Sequence, residues 1–146
     1  MNGLATGRRD KESAMCQIFT TADPALYASR SRSIRLRGVA TSIRLENIYW
    51  QALEEIGTRD GLSVPQLVTR LHDELDEAGV LGDRANFTSF LRVTCTRYLQ
   101  LQLAGLIPAD VGVPIRSLDA DQVLNRERDR RPAAGLAAGA GTLRSH

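Results

Sequence analysis

The hydrophobic period of this chain changes abruptly between Arg44 and Tyr49, and that change limits the folds open to it. Before it lie two short runs that alternate polar and apolar residues. Ile34 and Leu36 alternate with Ser33, Arg35 and Arg37; Thr41, Ile43 and Leu45 alternate with Ser42 and Arg44. A period of two sends the aliphatics to one face of a strand and the polar residues to the other. After the change, Leu45, Tyr49, Ala52, Leu53 and Ile56 recur at three and four residues, the stripe of an amphipathic helix. Gly61 ends that helix. Ser63 and Gln66 then have the spacing of a capping box, with Leu62 and Leu67 at the positions of a hydrophobic staple. Val64, Leu67, Val68, Leu71 and Leu75 form the next stripe, so the order is strand, helix, short turn, helix.

The two strands fit together as a hairpin. Gly38 at the first loop position suits a two-residue type II′ turn, Gly38-Val39. That register sets Arg37 opposite Ala40, Leu36 opposite Thr41, Arg35 opposite Ser42, and Ile34 opposite Ile43. Every aliphatic then shares one face, and Arg35, Arg37, Ser42 and Arg44 share the other. A slip of one residue would mix the faces.

At these residues the chain resembles the ribbon-helix-helix DNA-binding family of the Arc, MetJ and CopG type. The resemblance rests on the basic strand "TSIRLE", the helix after it, and "GLSVPQLVTRL" in place of the family's Gly-x-Ser-x-x-x-Leu-Ile pattern. It is closer to short bacterial members that begin Met-Cys-x-Ile/Leu-Phe, as "MCQIF" does at Met15 to Phe19. In that family two chains each give one strand to an antiparallel ribbon that enters the major groove. The resemblance therefore implies a homodimer, double-stranded DNA as partner, and a role in transcription regulation. It places Ala40, Ser42 and Arg44 at the base-contacting positions. The hairpin adds Arg35 and Arg37 to that surface, and arginine can bond both acceptors of guanine. Phosphate contacts are expected from the start of the second helix at Ser63 and Val64, where open amides and the dipole favour an anion. Arg59 before that turn, and Arg30 and Arg32 ahead of the hairpin, are expected to assist. The plainer reading of the arginine face is a solvated edge hairpin whose charges prevent aggregation.

Two features depart from the family. The family uses one strand per chain, so Ser33–Arg37 either widens a dimer ribbon to four strands or folds elsewhere. A third helix also follows, "NFTSFLRVTCTRYLQLQLAG", capped by Asn86, with Phe87, Phe90, Leu91, Thr94, Cys95, Tyr98 and Leu99 as its buried stripe. The expected fold class is mainly α with a short β ribbon: a ribbon-helix-helix with an N-terminal hairpin and a third helix.

Charge is distributed unevenly. Residues 30–45 hold five arginines and no acid; residues 46–83 hold nine acids against two arginines, a local balance of −7. A polyanion would meet that distribution rather than the net charge of +2. No apolar run approaches the roughly 20 residues that span a bilayer, and no signal segment is evident, so the expected location is cytoplasmic. Cys16 and Cys95 lack metal or redox spacing and are expected to be small buried hydrophobes. His72 has no ligand set around it, Trp50 belongs to core or interface packing, and no motif of an enzyme, cofactor or metal site can be read.

The expected organisation is a disordered segment over residues 1–14 and a domain over 15–107. Within that domain strands fall at 33–37 and 41–45, and helices at 46–58, 63–78 and 87–103. Residues 16–30 form an extended lead-in around Asp23-Pro24. Residues 108–128 are irregular with a short helix near Asp119, and 129–146 form a disordered Ala/Gly/Arg-rich tail. The alternative function is a protein-interaction module, antitoxin-like, with the C-terminal segment docking a partner through Leu118, Val123 and Leu124.

Overall fold

The computed structural model describes residues 13–131. In chain order these form α1 (Ala14–Thr20), α2 (Pro24–Tyr27), β1 (Ser29–Leu36), β2 (Val39–Glu46), α3 (Asn47–Arg59), α4 (Val64–Glu77), α5 (Arg84–Leu103), a 3-10 turn (Ile115–Ser117) and α6 (Ala120–Arg130). The expectations of disorder at 1–14 and 129–146 fall mostly outside the described residues; where they are described, Ala14 begins α1 and residues 129–130 lie in α6, so the chain is helical there.

β1 and β2 pair antiparallel over eight positions, from Leu36↔Val39 to Ser29↔Glu46. The hairpin is the expected one, but its register is displaced by two residues. Ile34 lies opposite Thr41, and Arg32 opposite Ile43. The turn is Arg37-Gly38, and both residues have positive φ, 53° and 81°. That is the signature of a type I′ turn, whose twist matches the flanking strands. A two-residue shift leaves each side chain on its original face, so alternation cannot distinguish these registers. Ile34, Leu36, Ile43 and Leu45 are buried in either case.

The register is selected from outside the strands. The Arg37 guanidinium lies 3.3 Å from Asp73 and 3.2 Å from Asp76, and donates to the Asp73 carbonyl on α4. These contacts hold a non-glycine residue in the left-handed region, which otherwise costs about 1–2 kcal/mol. Thr69 Oγ1, also on α4, donates to the Arg35 carbonyl at 3.0 Å.

The helix pair follows the expected local chemistry. Ser63 accepts from the Gln66 amide, and the Gln66 side chain accepts from the Ser63 amide, a complete capping box. A Cβ at Gly57 would stand 2.7 Å from the Leu62 carbonyl oxygen, so the turn into α4 folds tightly against α3 only because that position is glycine. α5 begins earlier than expected. Its cap is Asp83, which accepts from the Asn86 amide, so Asn86 lies inside the helix.

Phe87, Leu91 and Cys95 of α5 join the ribbon aliphatics, Trp50, Leu53 and Val68 in one core. Leu99, expected in that stripe, is 53% exposed; Leu101 is buried instead, in a second cluster with Tyr98 and Ile107. The N-terminal lead-in is helical rather than extended. Asp23 caps α2, and the Asn47 amide donates to the Ala28 carbonyl. Cys16 on α1 is exposed, not buried. The C-terminal helix is longer than expected: Asp119 caps three turns that reach Arg130.

Candidate nucleic-acid interface

Burial of one ribbon face determines the composition of the other. With Ile34, Leu36, Ile43 and Leu45 turned into the core, the outer face carries Ser29, Ser31, Ser33 and Arg35 on β1. Beside them on β2 lie Ala40, Ser42, Arg44 and Glu46. The facing pairs are Arg35 with Ala40, Ser33 with Ser42, and Ser31 with Arg44. Two arginines thus stand near opposite ends of a field of small residues. The Arg35 guanidinium bends towards the turn and donates to the Gly38 carbonyl at 3.0 Å. Glu46 closes the far end. Arg92 of α5 donates to it at 2.9 Å, and this hydrogen bond holds the Glu46 carboxyl below its ordinary value.

Ala40, Ser42, Arg44 and Arg35 lie together on this exposed face, as expected. Three other candidates do not. Arg37 is the turn residue, with its guanidinium drawn to Asp73, Asp76 and Glu77. It belongs to the tie between hairpin and α4, not to the strand face. Arg30 and Arg32 are not ahead of the hairpin but inside β1, on the inner side. Arg32 lies 5.3 Å from the Trp50 ring, and Trp50 Nε1 donates to the Arg30 carbonyl.

Arg59 is the clearest correction among the phosphate candidates. It is 5% exposed, and its guanidinium donates to the carbonyls of Pro108, Asp110 and Val113 and to the Tyr98 hydroxyl. An arginine so enclosed cannot reach a phosphate. Its partners lie 39 to 54 residues away in sequence, beyond any local pattern. Ser63 is exposed at the start of α4; the Val64 side chain is buried, so an anion there would meet its backbone amide.

Two arginines that no sequence pattern selected stand beside the ribbon. One groove lies between Arg35 of β1 and α4, where Gln66, Thr69 and Arg70 share its lining with the acids Asp73, Glu74 and Glu77. A second runs along β2 and is lined by Ser42, Arg44, Arg84, Thr88 and Arg92. Arg70 and Arg84 are both exposed. Helical spacing makes them look like ordinary solvated residues; only the packing of α4 and α5 against the hairpin brings them to its flanks.

A two-stranded antiparallel ribbon followed by two helices, with the polar face of the ribbon outward, defines a ribbon-helix-helix domain. The family model of that description, the ribbon-helix-helix domain, matches residues 29–99. Over those residues the chain carries a ribbon-helix-helix domain. It is similar to a solved structure, an uncharacterized protein from Bordetella pertussis Tohama I, at 58% identity and with a TM-score of 0.72. That match covers 76% of this chain and 87% of the other. No curated protein matches the chain. Among the described residues, no helix is long and apolar enough to cross a membrane.

Proposed function

We propose that this protein binds double-stranded DNA sequence-specifically, laying the outer face of its ribbon in the major groove, and acts as a transcriptional regulator. The observation that carries this reading is the enforced sidedness of the hairpin. Four aliphatics are locked in the core, so Arg35, Ser42 and Arg44 are held on one exposed surface. A two-stranded ribbon fits the major groove, where each base pair presents a distinct pattern of donors and acceptors. Serine and arginine match that pattern, whereas a solvated edge would need only charge. Arg37 at the hairpin tip pairs with Asp73, Asp76 and Glu77 of α4 and offsets part of that helix's negative charge.

The interaction-module reading draws little from the C-terminal segment. Of the three apolar residues expected to dock a partner, Leu118 and Val123 pack on Tyr98, Leu101 and Ile107 of the same chain, and Leu124 is exposed. Glu127 is held by two hydrogen bonds from Arg97. The test is selection from random duplex oligonucleotides followed by titration across salt concentrations. Recovery of a consensus supports the reading; a pool that stays random through repeated rounds refutes it.

A further inference from the structure

The two flanks of the hairpin differ in charge. On the α4 side, Arg35 and Arg70 share their groove with three acids, Asp73, Glu74 and Glu77. The groove between β2 and α5 has a volume of about 640 Å³, and its walls carry Ser42, Arg44, Arg84, Thr88, Ser89 and Arg92 but no acid. Arg44 and Arg84 are exposed, and neither pairs with a carboxylate among the described residues. Arg92 differs. Its guanidinium donates to both oxygens of Glu46, at 2.9 and 3.4 Å, so the two charges offset each other. Two uncommitted cations therefore stand on facing walls of one groove, Arg44 on the strand and Arg84 in the first turn of α5.

We propose that this groove takes the sugar-phosphate backbone of the DNA, with a phosphate held by Arg84 and Ser89 of α5 while Arg44 reaches the bases beside it. A guanidinium presents a fork of donors that matches phosphate oxygens, and a serine hydroxyl adds one more donor. Ser89 is exposed, and its hydroxyl has no partner among the described residues. Thr88 is already engaged, because its Oγ1 donates to the Arg84 carbonyl at 3.1 Å. The inference rests on the DNA-binding reading above and names a backbone contact of that same site. The helix that supplies it is the one the ribbon-helix-helix pattern lacks. The contact is thus additional to any at Ser63 and Val64, and each chain of a dimer brings its own.

Charge decides between the flanks. A cleft lined by one sign of charge concentrates its field, so a polyanion is drawn to the α5 side and repelled by the acids of the α4 side. Glu46 is the acid nearest the α5 groove, and the hydrogen bonds from Arg92 keep its charge from opposing a phosphate there. Removing that carboxylate would leave Arg92 as a third free cation in the groove.

The experiment uses the full chain and a duplex from the random-oligonucleotide selection, titrated across salt concentrations. Arg84→Ala should weaken binding to selected and scrambled duplexes alike and lower the salt slope by about one per bound chain. Its deficit should shrink about threefold between roughly 50 and 200 mM salt, the share of one phosphate contact. Arg84→Lys should keep the slope, and Glu46→Gln should steepen it by freeing Arg92. Arg70→Ala, on the acidic flank, should leave it unchanged. Arg84 is exposed, and thermal melting checks that each variant folds. The proposal is overturned if Arg84→Ala keeps the wild-type slope. It is equally overturned if Arg70→Ala lowers the slope as much, which would mean diffuse attraction without a site. Either result with a recovered consensus leaves DNA binding itself intact. Failure to select any duplex overturns both.

Discussion

Arg59 and Tyr98 meet inside the protein: a guanidinium N–H of Arg59 donates to the Tyr98 hydroxyl at 3.2 Å, with the charge 5.8 Å from the ring centroid. The hydroxyl in turn donates to Glu55 at 2.5 Å. The other donors of Arg59 hold the carbonyls of Pro108, Asp110 and Val113, while Asp60 beside it accepts from the amides of Ile115 and Arg116. The end of α3 thus anchors the whole segment between α5 and α6.

Arg59→Ala would leave those carbonyls and the Tyr98–Glu55 pair short of donors in a buried site. Hydrogen bonds to a charged group contribute about 1.5–3 kcal/mol each, so a loss of about 3 kcal/mol or more is expected. Denaturant unfolding measures it. Limited proteolysis should cut the 105–118 segment first; an uncut segment and an unmoved midpoint would show that the anchor is dispensable.

Leu91 is 0% exposed at the centre of α5. Leu91→Ala should destabilise by about 2–5 kcal/mol, the range for large-to-small core changes. The same change at Leu99, which faces solvent, should fall within about 0.5 kcal/mol. Equal losses at both positions would mean that α5 packs differently.

Arg44 projects from the outer face between two buried neighbours, Ile43 and Leu45. Arg44→Ala should cost about 1–3 kcal/mol in binding and relax preference at one base pair. Arg84→Ala should weaken all sequences alike and lower the salt slope by about one per bound chain. Arg37→Ala should alter neither base preference nor salt slope directly, because its side chain is committed to α4. Unchanged affinity and preference in Arg44→Ala would exclude β2 as the reader.

Two ion-paired carboxylates contribute to stability against acid. A hydrogen bond from Arg97 holds Glu127 below its ordinary value of 4.5, and one from Arg92 does the same for Glu46. A depressed folded value means that the carboxylate contributes stability in full above about 4.5. That contribution is lost as pH falls through the lower folded value. Melting temperature should therefore drop below about pH 4.5, and Glu127→Gln should flatten part of the drop. Parallel curves for the variant and the wild type would remove Glu127 from the account.

Burial pushes the Cys95 thiol up to about 11, whereas Cys16 is exposed on α1. A thiol reagent at about pH 8 should modify one cysteine quickly and the second only after unfolding. The fast phase should vanish in Cys16→Ser. Rapid modification of both would mean that α5 opens readily in solution.

Much of the ribbon and helix pair is legible along the chain, because each feature there is local. The capping box needs only residues 63 and 66, and the ribbon faces need only alternation. Alternation puts Ser42 and Arg44 on the outer face, and the family resemblance adds Ala40 and implies their place in the groove. The places of Arg37, Arg59 and the α5 cap cannot be read so, because each answers to something else nearby or far off. Arg37 is captured by acids on α4, Arg59 by carbonyls about fifty residues later, and Asp83 reaches the first free amides before Asn86 can.

The amino-acid sequence by itself determined which side chains of the hairpin face inward and where the helix pair turns, since side-chain period and capping act over a few residues. Tertiary structure alone decided the two-residue register, through the pull of Asp73 and Asp76 on Arg37. It also decided that α5 covers the ribbon's aliphatics within one chain. Registers two residues apart bury the same groups, and a helical stripe does not say what it packs against. Only contacts distant in sequence separate those cases.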